Sequence, residues 1–262
     1  MLSLEEKEKY LLEILGQMED ALLGFTGGVD STYLLYMAKK SISGKIMAVT
    51  AISPIHPLRE IEEAKERARE MGVDHILLES KELENAEFRA NPPHRCYLCR
   101  KMLYGHFREL AREKGFTNIL NGSNKNDGQK AHPGMRAALE YEVRSPLQEA
   151  NLFKKEIRKL SQKAGLATWD KPSMPCLVTR FNYGEHLTIP KLEQVERSEE
   201  YLNLKGFSPL RVRYNGDTAR IELDSGMLQK AVDMRKQIAF ALQKFGFTYV
   251  TLDLCSSMEL KE

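Results

Sequence analysis

The first half of the chain alternates short apolar runs with amphipathic segments. Apolar positions recur at helical spacing over residues 3–19, which predicts an amphipathic helix. Four apolar runs typical of buried parallel strands follow, at residues 21–26, 45–52, 75–80 and 118–123. Helical segments separate them, at residues 30–40, 57–72 and 96–115, and the polar residues 81–95 are expected to form a loop. This alternation predicts an α/β fold, a parallel sheet with helices on both faces.

The pattern changes in the second half of the chain. A helix, a β-hairpin with Asn215-Gly216 at its tip, a further helix and a last strand are predicted at residues 189–207, 210–223, 225–244 and 247–254. We therefore expect two domains, residues 1–184 and residues 185–262, the second being a small antiparallel α+β domain.

The composition excludes few classes of protein, but it indicates the cellular location and the kinds of partner to expect. The 39 Lys and Arg residues against 37 Asp and Glu leave a formal charge of +2, so no basic surplus points to nucleic acid or to an anionic membrane. The N-terminus has no basic and apolar signal-peptide pattern, and no apolar run reaches the roughly 18 residues of a membrane span. The sequence predicts a cytoplasmic protein that acts without a membrane or nucleic-acid partner.

The stretch GFTGGVDSTYLL, residues 24–35, holds the first candidate chemistry. A strand that ends in Gly27 and Gly28 and runs into a helix brings backbone N–H groups and the helix dipole to one point, which suits a phosphate. The plainer interpretation is a strand-to-helix turn with Asp30 as its N-cap. The spacing is not that of a Walker A motif.

The cysteines hold the second candidate chemistry. Cys96 and Cys99 form a C-x-x-C pair at the start of a predicted helix, where both side chains lie on one face and the helix dipole favours thiolate. Packed structural cysteines or half of a zinc site are the alternatives, although no second pair of this kind supplies the other zinc ligands. His94 is a further ligand or a polar loop residue, and Cys255 we interpret as incidental.

The segment TGGVDS resembles the S-G-G-x-D-S signature of the PP-loop ATP pyrophosphatases, with Thr26 in place of the usual serine. The segments NPPHRCYLCRKMLY, WDKPSMPCLVTRFNYGEHLT and GFSPLRVRYNGDTARIEL are similar to the LarE-type ATP-dependent sulfur transferases of that superfamily. The resemblance covers about residues 5 to 254. It implies a PP-loop ATP-binding domain at 1–184, a substrate or oligomerisation domain at 185–262, and a homo-oligomer.

The resemblance also implies a reaction. Members of this family adenylate a carboxylate of a pyridinium mononucleotide and replace oxygen with sulfur, on the way to the nickel-pincer cofactor of lactate racemase. Cys176 lies between the cationic Lys171 and Arg180. The resemblance implies that it is the cysteine that forms a thioester with the adenylated substrate. Single-cysteine members then lose their sulfur and keep dehydroalanine. Some members carry three cysteines, and Cys96, Cys99 and Cys176 would hold a [4Fe–4S] cluster with one open iron, the interpretation we favour over sacrificial use of Cys176.

The remaining site residues follow from the resemblance. The residues expected to hold ATP pyrophosphate and Mg²⁺ are Thr26, Gly27, Gly28, Asp30 and Ser31, and the nucleotide set further includes Thr50 and Tyr97. Arg211 and Arg213 lie on one face of a hairpin strand and would bind the substrate phosphate, with Arg180 nearby. Glu199 and Glu222 match acidic positions that the family places near the reacting centre or a metal. The alternatives are that the arginines are merely solvated, that Tyr97 is a core residue, and that the glutamates match by chance. The rival functions are a tRNA thiolase and a non-catalytic nucleotide-binding regulator.

Overall fold

A computed structural model describes residues 2–129 and 134–254 of the chain. It divides into two compact units. The first, which we call the ATP unit after the role that the sequence predicts for it, comprises residues 1–82 and 94–174, and the second, called the C-terminal unit, comprises residues 83–93 and 175–262.

The ATP unit is built on a four-stranded parallel sheet with strand order β3-β2-β1-β4. The strands are β1 (Ala21–Gly24), β2 (Ile46–Ile52), β3 (Asp74–Glu79) and β4 (Ile119–Leu120). The central β1 is apolar throughout because helices cover both faces of the sheet. The predicted α/β fold with a parallel sheet is confirmed. β4 is shorter than predicted, since residues 121–123 leave the sheet as a polar loop.

Helices connect the strands of the ATP unit. They are α1 (Leu4–Gly16), α2 (Val29–Ser41), α3 (Leu58–Glu70), α5 (Arg95–Lys114), α6 (Lys125–Gln129), α7 (Gly134–Glu140), α8 (Pro146–Glu149) and α9 (Lys154–Lys163), with α4 (Ala86–Arg89) lying in the C-terminal unit. One apolar cluster fills the space between α1, α2, α9 and the sheet, and it includes Leu11, Leu23 and Leu34. A second cluster packs α5 and α7 on the other face around Tyr104 and Phe107. Polar residues therefore lie at the carboxyl ends of the strands.

The C-terminal unit contains a three-stranded sheet with order β5-β6-β7, formed by β5 (Leu210–Asn215), β6 (Thr218–Leu223) and β7 (Tyr249–Leu252). Its helices are α10 (Ile189–Leu204), α11 (Leu228–Asp233) and α12 (Arg235–Lys244). The predicted hairpin is present, but Asn215 pairs with Thr218 inside the ladder, so Gly216 and Asp217 form its tip.

Two further predictions for this unit are wrong. β7 pairs with β6 in parallel, because the chain between them crosses over through α11 and α12. The sheet is therefore mixed and not antiparallel. The predicted continuous helix at 225–244 is broken at Met234 into α11 and α12, after a short 3-10 turn at Ser225–Met227.

Residues 81–95 are not a simple loop. Asn85 accepts the Phe88 N–H with its side-chain oxygen at 3.0 Å and starts the short helix α4, whose Phe88 is buried.

Within residues 2–129 and 134–254, no helix combines the length and the apolar character needed to cross a bilayer. Cys255 lies outside the described residues. The assignment of residues 1–184 to ATP binding and of 185–262 to the substrate stays a prediction.

Candidate active site

The turn between β1 and α2 is closed by two hydroxyl side chains. The Oγ1 atom of Thr26 and the Oγ atom of Ser31 lie 3.1 Å apart. The Ser31 hydroxyl also accepts the Thr26 N–H at 3.2 Å and donates to the Gly28 carbonyl at 3.2 Å. The Gly28 N–H donates to the Thr26 hydroxyl at 3.4 Å. These bonds fix residues 26–31 as a tight turn, which we call the PP-loop turn.

Gly27 gives the turn its shape. Its φ is +66°, in the left-handed region that favours glycine. A β-carbon at this position would lie 2.9 Å from the Cα of Ala64, so helix α3 packs directly against the turn. Successive backbone N–H groups in such a conformation form a concave site for an anion.

Helix α2 begins at Val29, and Gly28 is its N-cap without a side-chain capping bond. Asp30 is therefore inside the first helical turn, and the interpretation of Asp30 as the N-cap is wrong. The reason is that its carboxylate bonds elsewhere, to Lys154 and Asn124. A helix start without a capping side chain leaves its N-terminal dipole directed at the turn, as phosphate-binding turns require.

Asp30 and Lys154 belong to a closed polar network. Lys154 Nζ donates to one carboxylate oxygen of Asp30, and Asn124 Nδ2 lies 3.5 Å from the other. The backbone N–H of Asn126 donates to the Asn124 side chain at 2.9 Å, and the N–H of Lys154 donates to the Asn126 side chain at 2.9 Å. Burial raises the pKa of Asp30, and the charge of Lys154 opposes that shift. The network links the loop after β4 and the start of α9 to the PP-loop turn.

Thr50 is a buried residue of β2. Its hydroxyl donates to the Phe25 carbonyl at 2.6 Å and lies 2.8 Å from Nε2 of His75. Burial, and then the charge of Lys65, lower the pKa of His75. The Thr50 side chain thus ties β2 to the residue that precedes the PP-loop turn, and its role in nucleotide binding stays a prediction.

Cys96 and Cys99 lie in the first turns of α5, both partly exposed. Cys99 Sγ lies 3.8 Å from Oε1 of Glu82, which also accepts the Ser80 hydroxyl at 2.6 Å. Glu82 is fully buried, and its second carboxylate oxygen has no hydrogen-bond partner among the described residues. Over the described ranges, no three His, Cys, Asp or Glu side chains form a group that could hold a metal ion. The predicted cluster therefore stays a prediction.

Tyr97 points from α5 to α7. Its hydroxyl donates to Glu140 at 2.9 Å, and the Arg136 guanidinium lies 4.9 Å from the centre of its ring. These contacts occupy both the polar tip and one face of the ring. A role for Tyr97 beside the nucleotide stays a prediction.

In the C-terminal unit, Cys176 precedes a short 3-10 helix at Leu177–Arg180. Its carbonyl accepts from the Thr179 hydroxyl at 2.9 Å and from the Arg180 guanidinium at 3.2 Å. Arg180 is only 1% exposed and forms a two-pronged ion pair with Glu199, both contacts being 2.9 Å. Glu199 also accepts the Val212 N–H at 2.9 Å. Arg180 and Glu199 thus hold the Cys176 backbone against β5.

Arg211 and Arg213 project from the same face of β5 but differ in their partners. Arg213 donates to Glu222 at 2.9 Å and to the Thr179 carbonyl. The Arg211 side chain forms no hydrogen bond or ion pair with the described residues, although Glu222 lies opposite it in the ladder and Glu222 and Glu199 attract its charge. Burial, and then the charges of Arg180 and Arg213, lower the pKa of Arg211. Glu222 is a partner of Arg213, and Arg211 is the side chain of this group that has positive potential to offer an anion.

Comparison with known proteins identifies the family. No family model matches the chain. A protein of Synechocystis described as uncharacterized is 40% identical over 253 residues, which cover 96% of this chain and 94% of the relative. The pyridinium-3,5-bisthiocarboxylic acid mononucleotide synthase of Lactiplantibacillus plantarum is 34% identical over 97% of this chain and 92% of its own length.

The chain belongs to the pyridinium-3,5-bisthiocarboxylic acid mononucleotide synthase family. The predicted resemblance is thereby confirmed. More distant is the tRNA-specific 2-thiouridylase MnmA of Treponema denticola, which is 26% identical over 58% of this chain and 51% of its own length. The relationship to this synthase family extends over both units of the chain.

For this synthase family member, sequence reasoning missed Asn124 and Lys154 as site residues. Asn124 follows β4, and polar residues after parallel strands meet at one edge of the sheet, so the position itself carried a signal. Lys154 carried none, because it lies 124 residues from its partner Asp30 and surface lysines abound in the sequence.

Proposed function

We propose that this protein is an ATP-dependent sulfur transferase that acts on a carboxylate of a pyridinium mononucleotide. The supporting observation is the PP-loop turn, with Gly27 in the left-handed region before an uncapped α2 N-terminus, in a chain that matches a named synthase over 97% of its length. A turn of this kind stabilises the negative charge that develops on a departing pyrophosphate.

The first step activates the substrate. A carboxylate oxygen attacks the α-phosphorus of ATP, the bond to the β-phosphate oxygen breaks, and pyrophosphate leaves. The N–H groups of Gly27 and Gly28 and the start of α2 would hold the pyrophosphate. Mg²⁺ would neutralise phosphate charge, and the Asp30 carboxylate with the Thr26 and Ser31 hydroxyls are oxygen donors of the kind it prefers.

The second step brings sulfur to the acyl-adenylate. Where Cys176 is itself the sulfur donor, its thiolate attacks the activated carbonyl carbon and AMP leaves, which forms a thioester. In the sacrificial version, the Cα proton of Cys176 is removed and its Cβ–S bond breaks. Sulfur then stays on the substrate as a thiocarboxylate, and dehydroalanine remains in the chain.

In the alternative that we favour, the thiolates of Cys96, Cys99 and Cys176 are the ligands of a [4Fe–4S] cluster. Thiolate is the donor that such clusters take, and three of them leave one iron open. When bound, the cluster would hold an added hydrosulfide, which would be the sulfur that is transferred, and Cys176 would be spared. We place the product in nickel-pincer nucleotide biosynthesis and thus in lactate racemase maturation. We expect a cytoplasmic homo-oligomer without a nucleic-acid partner.

The substrate phosphate is assigned to the C-terminal unit. Arg211 is half-buried and lies near the positive charges of Arg180 and Arg213, which are themselves held by Glu199 and Glu222. A guanidinium of this kind favours phosphate, which it can bind through two N–H groups. Arg211 would therefore bind the mononucleotide phosphate directly, with Arg213 and Arg180 positioned beside it.

One set of reactions tests the function and the sulfur source. We expect pyrophosphate release from ATP on addition of the pyridinium dicarboxylate mononucleotide and none on addition of tRNA. Anaerobically purified protein is expected to hold about four irons per chain, and Cys96→Ala to remove them, with the mass of the Cys176 peptide unchanged after turnover. Loss of hydrogen sulfide from that peptide would establish the sacrificial route, and release with tRNA alone would overturn the substrate assignment.

A further inference from the structure

Lys171 lies in the ATP unit, five residues before Cys176 in the sequence, and its ammonium is held by helix α3. Its Nζ atom is 2.8 Å from a carboxylate oxygen of Glu60 and 2.8 Å from one of Glu63. The same atom lies 3.4 Å from the Gly27 carbonyl oxygen. Lys171 therefore joins α3 to the PP-loop turn, and its ammonium is already paired with carboxylates of α3.

The backbone of Lys171 is fixed as well. The guanidinium of Arg158, on α9, donates to the Trp169 carbonyl at 2.8 Å and to the Lys171 carbonyl at 2.9 Å. With the backbone held by α9 and the ammonium held by α3, the side chain has little freedom to reorganise. A donor that is fixed at both ends defines the position of the carbonyl that it contacts.

The partners of Lys171 also argue against direct phosphate binding. Two carboxylates at 2.8 Å neutralise its single positive charge, so little is left to attract an anion. Although burial disfavours the charged form of Glu63, hydrogen bonds from Lys171 and Arg59 lower its pKa, so the Glu63 carboxylate stays ionised near neutral pH. The Gly27 carbonyl, in contrast, must point away from the anion if the N–H groups of the turn are to face it.

We propose that Lys171 is a positioning residue for ATP: held by Glu60 and Glu63, it fixes the Gly27 carbonyl and so keeps the PP-loop turn open to pyrophosphate. This proposal rests on the proposed function of the turn. Glu60 and Glu63 act together with Lys171 in this role. The nucleotide gains its affinity from backbone N–H groups that Lys171 keeps in place.

The test begins with Lys171→Met, which keeps the length of the side chain and removes its charge and donors. Hydrogen bonds to charged groups contribute enough that we expect the KM for ATP and the Kd of a non-hydrolysable ATP analogue to rise about tenfold. The kcat for pyrophosphate release is expected to change much less, and Lys171→Arg to restore part of the affinity. Lys65→Met is the matched control, because Lys65 lies on α3, the helix that carries Glu60 and Glu63, and pairs with the exposed Glu62.

The double variant Glu60→Gln, Glu63→Gln decides between positioning and direct contact. If Lys171 bound phosphate itself, removing two nearby negative charges would strengthen ATP binding. If Lys171 positions the turn, the loss of its carboxylate partners weakens ATP binding as Lys171→Met does. Tighter binding by the double variant would overturn the proposal, and so would wild-type affinity in both variants. The double variant gives this test even if Lys171→Met does not fold. Absence of ATP binding by the wild-type protein would refute the proposed function itself.

Discussion

At the residue scale, Gly27 shows how one backbone position determines the anion site. Its left-handed φ turns the chain at the end of β1, and the missing side chain lets α3 approach through Ala64. Both requirements are met by glycine alone. The sequence already indicated this residue, because paired glycines between an apolar strand and a helix are a local pattern.

The two requirements can be separated by a pair of substitutions. Gly27→Ala is expected to lower pyrophosphate release at least about tenfold, because a left-handed alanine costs about 1–2 kcal/mol and the new β-carbon would come within 2.9 Å of Ala64 Cα. Gly165→Ala has a similar φ of +69° and nothing within 4 Å of its β-carbon, so it tests the backbone cost alone. Steady-state assays of both variants check this, and an unchanged KM for ATP in Gly27→Ala would contradict the role of the turn.

Other site residues could not be predicted because their partners are remote in sequence. Lys171 contacts the Gly27 carbonyl across 144 residues, and Lys154 contacts Asp30 across 124. Local patterns indicate strands, turns and cysteine pairs, but they do not show which lysine of the chain meets which carboxylate. That information exists only once α3 and α9 have packed against the sheet.

At the scale of secondary-structure elements, the sequence predicted the strands of the parallel sheet but not the break in the helix predicted at 225–244. The apolar runs predicted every strand of the parallel sheet, since the central β1 is covered on both faces and even the partly exposed edge strand β3 keeps an apolar centre. The helix predicted at 225–244 breaks at Met234 into α11, which buries Ala231, and α12, which buries Ile238. No glycine or proline marks the break, so the sequence carried no local signal for it.

The start of β4 depends on a carboxylate at the start of β1. Asp20 accepts the N–H groups of Thr117 and Asn118 at 2.8 and 3.0 Å, and the Thr117 hydroxyl at 2.9 Å. Burial works against the charge, but these hydrogen bonds outweigh it and hold the pKa of Asp20 below its usual value of 3.8. The ionised carboxylate therefore contributes stability above pH 3.8, and this contribution is lost as the pH falls through the lower pKa of the folded state.

Asp20→Asn is expected to lower the free energy of unfolding by about 1–3 kcal/mol at neutral pH. The difference from wild type should shrink progressively below pH 3.8, where the wild-type carboxylate becomes protonated. Urea unfolding over a series of pH values measures both. Asp74→Asn, at the exposed first residue of β3, is the control and should leave stability nearly unchanged. A difference that persists undiminished in acid would show that the effect is not due to the charge of Asp20.

At the scale of the whole molecule, the proposed function assigns a different kind of anion site to each of the two units. The ATP unit offers backbone N–H groups at a helix start, which suit pyrophosphate. The C-terminal unit offers the guanidinium of Arg211, with Arg180 and Arg213 already committed to carboxylates. A backbone site and a guanidinium site on separate units are consistent with ATP and the mononucleotide having separate phosphate sites.

Hydrogen exchange tests this division of labour. A non-hydrolysable ATP analogue alone should slow amide exchange at residues 25–31, and the pyridinium mononucleotide alone should slow it at residues 210–214. Arg211→Met should abolish the second protection and leave the first, because the PP-loop turn does not use that side chain, whereas the exposed Arg235→Met should change neither. If the mononucleotide instead protected only residues 25–31 in both wild type and Arg211→Met, its phosphate would bind at the turn, and the assignment of the substrate to the C-terminal unit would be wrong.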